Sequence, residues 1–279
     1  MKLEMDRSVI WLSVIGHILL IFATLAAFFP LYWMIASSLK PEGEIWQIPP
    51  TWIPHSITLD NYRTLFNYAP VFRWIINTII IAGGGTLGVL ILCSLAGYSL
   101  AKIRFPGNRI VFYVILGMLM IPWELTIIPV YVINTKLGLI DTSWALIIPG
   151  SVSAFWIFMF KQYMETIPDS LIEAARIDGA SEVQIFLKIA LPLAKPAVIT
   201  IAILNFITYW KAFIWPLIML NSWEKYPIEV GLALFRGQYY TEWGALMAGS
   251  TIAVLPLLIY FLVLQKRIIG GLTLGAIKG

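Results

Sequence analysis

Residues 8–39 contain no Asp, Glu, Lys or Arg. A helix needs only about 20 apolar residues to cross roughly 30 Å of hydrocarbon, so a stretch of this length reads as a membrane span. Five further segments share the character, giving expected spans at 11–37, 74–101, 109–133, 143–161, 195–220 and 243–265. The totals agree: of 279 residues, 59% are hydrophobic and 12% are charged, against about 25% charged in a soluble domain. Backbone groups in lipid must be satisfied within the chain, which leaves helices as the spanning element. The expected fold class is all-α integral membrane with six transmembrane helices. Pro122, Pro129 and Pro216 fall inside spans and are expected to kink them. The N-terminal run is too long for the core of a cleavable signal peptide and is expected to remain as a span.

The net charge of +4 does not indicate nucleic acid, because the basic residues stand at the ends of apolar runs rather than in a patch. They read as topology signals. With the N-terminus in the cytoplasm, twelve of the 19 Lys and Arg residues fall inside, six outside, and Lys211 within a span. That asymmetry favours cytoplasmic termini, and the short loop from Lys102 to Arg109 is its clearest element. Segments 40–73 and 221–242 then face outward. Trp46, Trp52, Trp223 and Trp243 lie near the boundaries, where interfacial aromatics gather.

Cys93 is the single cysteine, and His17 and His55 are isolated, so no metal site and no cofactor are expected. No Gly-rich phosphate loop ending in Lys-Ser or Lys-Thr occurs, nor a His-Glu-x-x-His or Gly-x-Ser-x-Gly motif. Nothing in the chain suggests catalysis. Two ionisable residues do stand inside spans, Glu124 and Lys211, and such groups are costly there and mark function or pairing. Because their charges are opposite, an ion pair between spans three and five is one expectation. Asn205, Tyr209 and Trp210 share span five with Lys211 and suit either a hydroxylated solute or helix packing.

The cytoplasmic segment 165–196 carries the most specific pattern. Ser170 and Glu173 fit a capping box, as do Ser181 and Gln184. Gly179 between them suits the left-handed residue that ends a helix. Two short helices meeting at a glycine corner are expected under the membrane. An ordinary amphipathic connector would read much the same by these signals alone.

Glu173-Ala174-Ala175, Asp178-Gly179-Ala180 and Leu191-Pro192, at this spacing, closely resemble the cytoplasmic loop of bacterial ABC-importer permeases. Asn61-Tyr62, Ile128-Pro129, Pro216-Leu217 and Met247-Ala248-Gly249-Ser250 resemble the carbohydrate branch. The stretch 267–279 resembles the end of the second permease subunit of maltose-type importers. The resemblance implies a binding-protein-dependent ABC importer permease fold with cytoplasmic coupling helices, in the bacterial inner membrane. It implies four kinds of partner: a homologous second permease subunit, two cytoplasmic ATP-binding subunits, an extracytoplasmic solute-binding protein, and the lipid bilayer. Glu173, Ala174, Ala175, Asp178 and Gly179 become the ATPase-coupling residues. Glu124, Asn205, Tyr209, Trp210 and Lys211 become candidates for the translocation path, and Gln238, Tyr239 and Tyr240 for binding-protein contact. The family more often carries an amide at the places of Glu124 and Lys211, so these two depart from its pattern. The domains expected are an N-terminal span with its external segment (1–72), a core permease domain (73–269) and a cytoplasmic tail (270–279). The implied function is passage of a sugar or oligosaccharide, driven by a separate ATPase. A polyol, a sugar phosphate or another solute is the alternative substrate, and an ion-coupled secondary transporter the alternative class.

Overall fold

The computed structural model describes the backbone of residues 7–238 and 242–273 and the side chains of 13–235 and 242–265. In chain order its helices are α1 (Arg7–Ser38), α2 (Glu42–Ile45), α3 (Asp60–Tyr68), α4 (Val71–Lys102), α5 (Asn108–Met118) and α6 (Ile127–Lys136). There follow α7 (Trp144–Gly150), α8 (Ala154–Glu165), α9 (Asp169–Ile177), α10 (Glu182–Ile185), α11 (Leu191–Leu193) and α12 (Lys195–Trp210). The last three are α13 (Ile214–Met219), α14 (Ile228–Gln238) and α15 (Trp243–Thr273). No strand occurs among the described residues.

Three helices are long and apolar enough to cross a membrane unbroken: α1, α4 and the 243–265 part of α15. Three further candidates are bent pairs, which brings the number of spans to six if each pair is one. The pair of α5 with residues 123–136 bends by 99°, α7 with α8 by 43°, and residues 182–193 with α12 by 77°. The expected kinks at proline are corrected in form. Pro122 is the cap of a 3₁₀ turn, Trp123–Thr126, while Pro129 and Pro216 stand in the first turns of α6 and α13. A first-turn residue needs no amide donor, so the chain breaks ahead of each proline instead of bending through it. Span five is likewise interrupted: α12 ends at Trp210, and Lys211 is its C-cap, not a mid-helix residue.

The chain divides into two compact units, one of 1–69 with 235–254 and one of 70–234 with 255–279. In the first, Lys40 is buried, donates to the Thr51 carbonyl and lies 4.3 Å from the centre of the Trp33 ring. Glu44 accepts from the Thr51 hydroxyl at 2.8 Å and the His55 amide at 3.0 Å. Phe29, Trp33 and Trp52 form an aromatic cluster, and Trp46 meets Trp243 edge-on at 5.8 Å. The amides of Trp243 and Gly244, at the start of α15, donate to the two oxygens of Glu42 at 3.2 and 3.0 Å. Those amides have no partner inside the helix, so the carboxylate closes its N-terminus.

In the second unit α4 is the central helix, with Trp74, Ile81, Ala82, Val89 and Cys93 buried along it. Its glycines let neighbours approach to backbone distance, as small residues do between membrane helices. A Cβ at Gly97 would lie 2.5 Å from that of Phe160 and 2.8 Å from the Lys161 nitrogen. At the opposite end α4 holds the segment that follows span five. Trp74 donates to the Trp223 carbonyl at 2.8 Å, Asn77 to those of Glu224 and Tyr226, and Thr78 accepts from the Ile228 amide.

Candidate functional site

The 165–196 segment folds into the expected corner, with one correction. Helix α9 begins at Asp169 with Pro168 as its cap and no side-chain capping bond, so the Ser170–Glu173 box is not made. Proline fixes the backbone at the helix entrance and displaces the start by two residues from the serine-based reading. The second box is made in full: Ser181 Oγ accepts from the Gln184 amide, and Gln184 Oε1 from the Ser181 amide. Between them Gly179 has φ +82°. The Ala180 amide donates to the Ala175 carbonyl at 3.0 Å and the Gly179 amide to that of Arg176 at 3.1 Å. This is the paired closure that a left-handed glycine makes possible. A π-helical turn, Phe186–Ala190, then leads through α11 to α12.

The corner is fastened to the end of α4. Ile172, Ala175, Ile185 and Phe186 are buried in one cluster with Tyr98, Leu100, Phe160 and Met164. Lys102 donates at 2.6 Å to both the Ile167 carbonyl and Asp169 Oδ1. Arg176 donates to Glu182 at 2.6 Å and to the Lys102 carbonyl at 3.0 Å, and the Tyr98 hydroxyl donates to Glu182 at 2.9 Å. The hydrogen bond from Lys102 holds the Asp169 carboxyl below its ordinary range. Glu182 does the converse for Arg176, strengthening its hold on the proton. Buried side chains and charged bonds together make the corner and the end of α4 a single mechanical piece.

The other face is open. Glu173, Ala174, Asp178 and Gly179 are exposed, and Ile177 is 86% exposed, while Ala175 packs inward. An uncovered isoleucine thus stands among small residues and two acids, on a helix held firmly from behind.

The span-five candidates separate. Asn205 is buried and donates to Thr86 on α4 at 3.2 Å. Trp210 is buried against Phe206. The Tyr209 ring fills a slot between Gly85 of α4 and Gly150 of α7, and its hydroxyl is buried without a hydrogen-bond partner among the described residues. Lys211 and Glu124 are exposed. Among the described residues no ion pair joins them; the acid whose field Lys211 enters is Glu229. Glu229 lies on α14 in the segment read as external, where burial raises its carboxyl and the Lys211 charge opposes the rise. Glu124 stands in the 3₁₀ turn at the elbow of span three. Gln238 is the last residue of α14; Tyr239 and Tyr240 lie outside the described residues, as does the tail beyond 273.

Sequence reasoning missed Asp141. It takes φ +61° in the turn before α7, and its carboxylate accepts from the amides of Asn221 and Ser222 at 2.9 Å. The Ser222 hydroxyl and Lys225 complete the set at 2.5 and 2.7 Å. Burial alone would raise this carboxyl, but the bonds from Lys225 and Ser222 hold it far below its ordinary value. The usable sign in the sequence was a lone aspartate after Gly-Leu-Ile, which tolerates a left-handed backbone.

Broken apolar helices around one glycine-bearing span, with a rigid corner projecting beyond them, define a helical membrane transport subunit. Residues 93–272 match the binding-protein-dependent transport system inner membrane component, and the chain belongs to that family. It is 36% identical to the arabinooligosaccharides transport system permease protein AraQ of Halalkalibacterium halodurans, over 100% of each chain. Identity to the sn-glycerol-3-phosphate transport system permease protein UgpE of Escherichia coli is 31%, over 94% of this chain and 96% of the other. Among solved structures it resembles a chain of a bacterial ABC transporter involved in the import of the acidic polysaccharide alginate. There the TM-score is 0.83 at 27% identity, covering 94% of this chain and 98% of that one. It is therefore a non-catalytic permease subunit of an ABC importer, with ATP hydrolysis on a partner subunit.

Proposed function

We propose that this permease serves import of an oligosaccharide and that its α9 corner receives the stroke of two cytoplasmic ATP-binding subunits. The exposed Glu173–Gly179 face, backed by the bonds of Lys102, Asp169, Arg176 and Glu182, carries this reading. A partner that grips that face moves the end of α4, and α4 lines its neighbours α7, α8 and α12 from end to end. Glu173 supplies a charge for a basic residue of the ATPase, and Ala174 permits close approach. A homologous permease completes the path, to which Glu124 and Lys211 are assigned, while the buried Asn205, Tyr209 and Trp210 pack span five against its neighbours. A solute-binding protein delivers at the external side, near Gln238, Tyr239 and Tyr240, with both termini in the cytoplasm. The arabinooligosaccharide name of one relative supports a neutral sugar.

A second substrate class, a phosphorylated or uronic sugar, is favoured by exposed Lys211 and by the substrates named for the other two relatives. The test is ATP hydrolysis by the reconstituted complex with its binding protein. Arabino-oligosaccharide, glycerol phosphate and uronate oligosaccharide are compared in turn. Stimulation by the first alone supports the neutral reading, and stimulation by either acid alone replaces it. Glu173→Lys should abolish stimulation and ATPase association together; normal association would overturn the coupling assignment.

A further inference from the structure

Between the loop that joins α4 to α5 and the inner side of α9 lies a cleft of about 710 Å³. Four basic side chains line it, Lys102, Arg104, Arg109 and Arg176, against two acids, Asp169 and Glu173. Lys102 and Arg176 are engaged by Asp169 and Glu182. Arg104 feels the Asp169 charge at longer range, and neither it nor Arg109 donates a hydrogen bond to a described residue. The loop itself is fixed: Asn108 donates to the Leu100 and Ile103 carbonyls at 3.2 and 3.0 Å, and Gly107 turns the chain at φ +85°. The first amides of α5 have no side-chain cap, so they add their partial positive charge to the same place. Phe105 and Ile110 are exposed beside it, and the cleft sits where spans two and three leave the apolar layer.

We propose that this cleft binds the phosphate of an anionic lipid through Arg104 and Arg109. Two unengaged guanidinium groups, a preformed cavity and an apolar flank are what a headgroup attached to acyl chains requires. Occupation would neutralise the surplus charge and hold the α4–α5 loop against α9, making the stiffness of the coupling corner depend on lipid charge. Glu173 lines the same cleft as Asp169, Ile172 and Arg176, so lipid and ATPase would meet along one edge of this short helix. The proposal rests on the coupling reading only for its activity arm.

The experiment uses the complete importer in nanodiscs of phosphatidylcholine, with and without phosphatidylglycerol. Native mass spectrometry counts retained lipid, and substrate-stimulated ATP hydrolysis is measured in parallel. Phosphatidylglycerol should be retained by the wild type and lost from Arg104→Gln/Arg109→Gln. The gain in stimulated hydrolysis should fall at least about fivefold in that variant, two cations near a membrane surface being worth that much or more. Lys188→Gln/Lys195→Gln removes the same charge from exposed positions outside the cleft and should leave both readouts unchanged. Inorganic phosphate added to pure phosphatidylcholine discs separates the sources. Restoration of activity by phosphate would replace the lipid with a soluble anion. Equal lipid retention in wild type and the arginine variant overturns the site itself, whatever the hydrolysis data show. Retention lost with hydrolysis unchanged overturns only its link to coupling.

Discussion

The hydroxyl of Tyr209 lies 1.9 Å from where a Cβ on Gly150 would stand. On the other side of the ring, a Cβ on Gly85 would come within 2.2 Å of Cζ. The phenol is thus clamped between two helices at the point where span four bends, with its oxygen buried and unbonded. An unmet buried hydroxyl costs about 1–3 kcal/mol.

Tyr209→Phe should therefore melt no lower than the wild type and up to about 1 kcal/mol higher in stability. Gly150→Ala and Gly85→Ala should each destabilise by roughly 1–3 kcal/mol through overpacking. Thermal unfolding in detergent measures all three, and a lower melting point for Tyr209→Phe would show that the oxygen has a partner.

Asp141→Asn should cost about 2–4 kcal/mol at neutral pH, because the substitution weakens several charge-assisted bonds at once. A carboxyl held below its unfolded value of 3.8 stabilises the fold above that pH, and the contribution is lost as pH falls through the folded value. The gap between wild type and variant should stay constant from neutral pH down to the ordinary carboxylate range and narrow only below it. A gap that widened on acidification would contradict the assignment.

Gly179 has open space around its would-be side chain, so only backbone strain opposes replacement. Gly179→Asn should retain most ATPase binding, since asparagine visits the left-handed region, while Gly179→Val should lose it at a cost of about 1–2 kcal/mol or more. Equal loss in both would point to contact at the glycine rather than to its φ.

A double-mutant cycle on Glu124 and Lys211 should be additive within about 0.5 kcal/mol. The cycle on Lys211 and Glu229 should show coupling of roughly 0.5 kcal/mol or more. Opposite results would restore the pairing suggested by charge alone.

That pair illustrates what a sequence reading reaches. Apolar runs located three unbroken candidate spans and three bent pairs, and local chemistry located the Gly179 turn and the Ser181–Gln184 box, because both act within a few residues. The partner of Lys211 was not legible: Glu229 sat in a segment assigned to the outside, and a cation at the end of α12 draws on the helix dipole as well as on a carboxylate. The bonds Lys102–Asp169 and Tyr98–Glu182 span 67 and 84 positions, beyond any local pattern. Asn205 and Tyr209 looked like solute ligands by residue type; the Thr86 partner of the first and the glycines opposite the second reveal packing. Ser170 lost its capping role to a neighbouring proline, a competition between two good start signals.

Glu42 and Asn61 are made well before what they meet, Trp243 and Gly244. Glu42 holds the amides that open α15, and Gly244 is so close to Asn61 that a Cβ there would lie 2.2 Å from its Oδ1. During synthesis, Asn61 can already bond the Ser38 and Lys40 carbonyls, but the Glu42 carboxylate must wait uncommitted until about 200 further residues have been made. Helix α15 then acts as the latch of assembly. Chains that terminate before residue 243 would leave an acidic, unfinished surface for quality-control proteases to recognise.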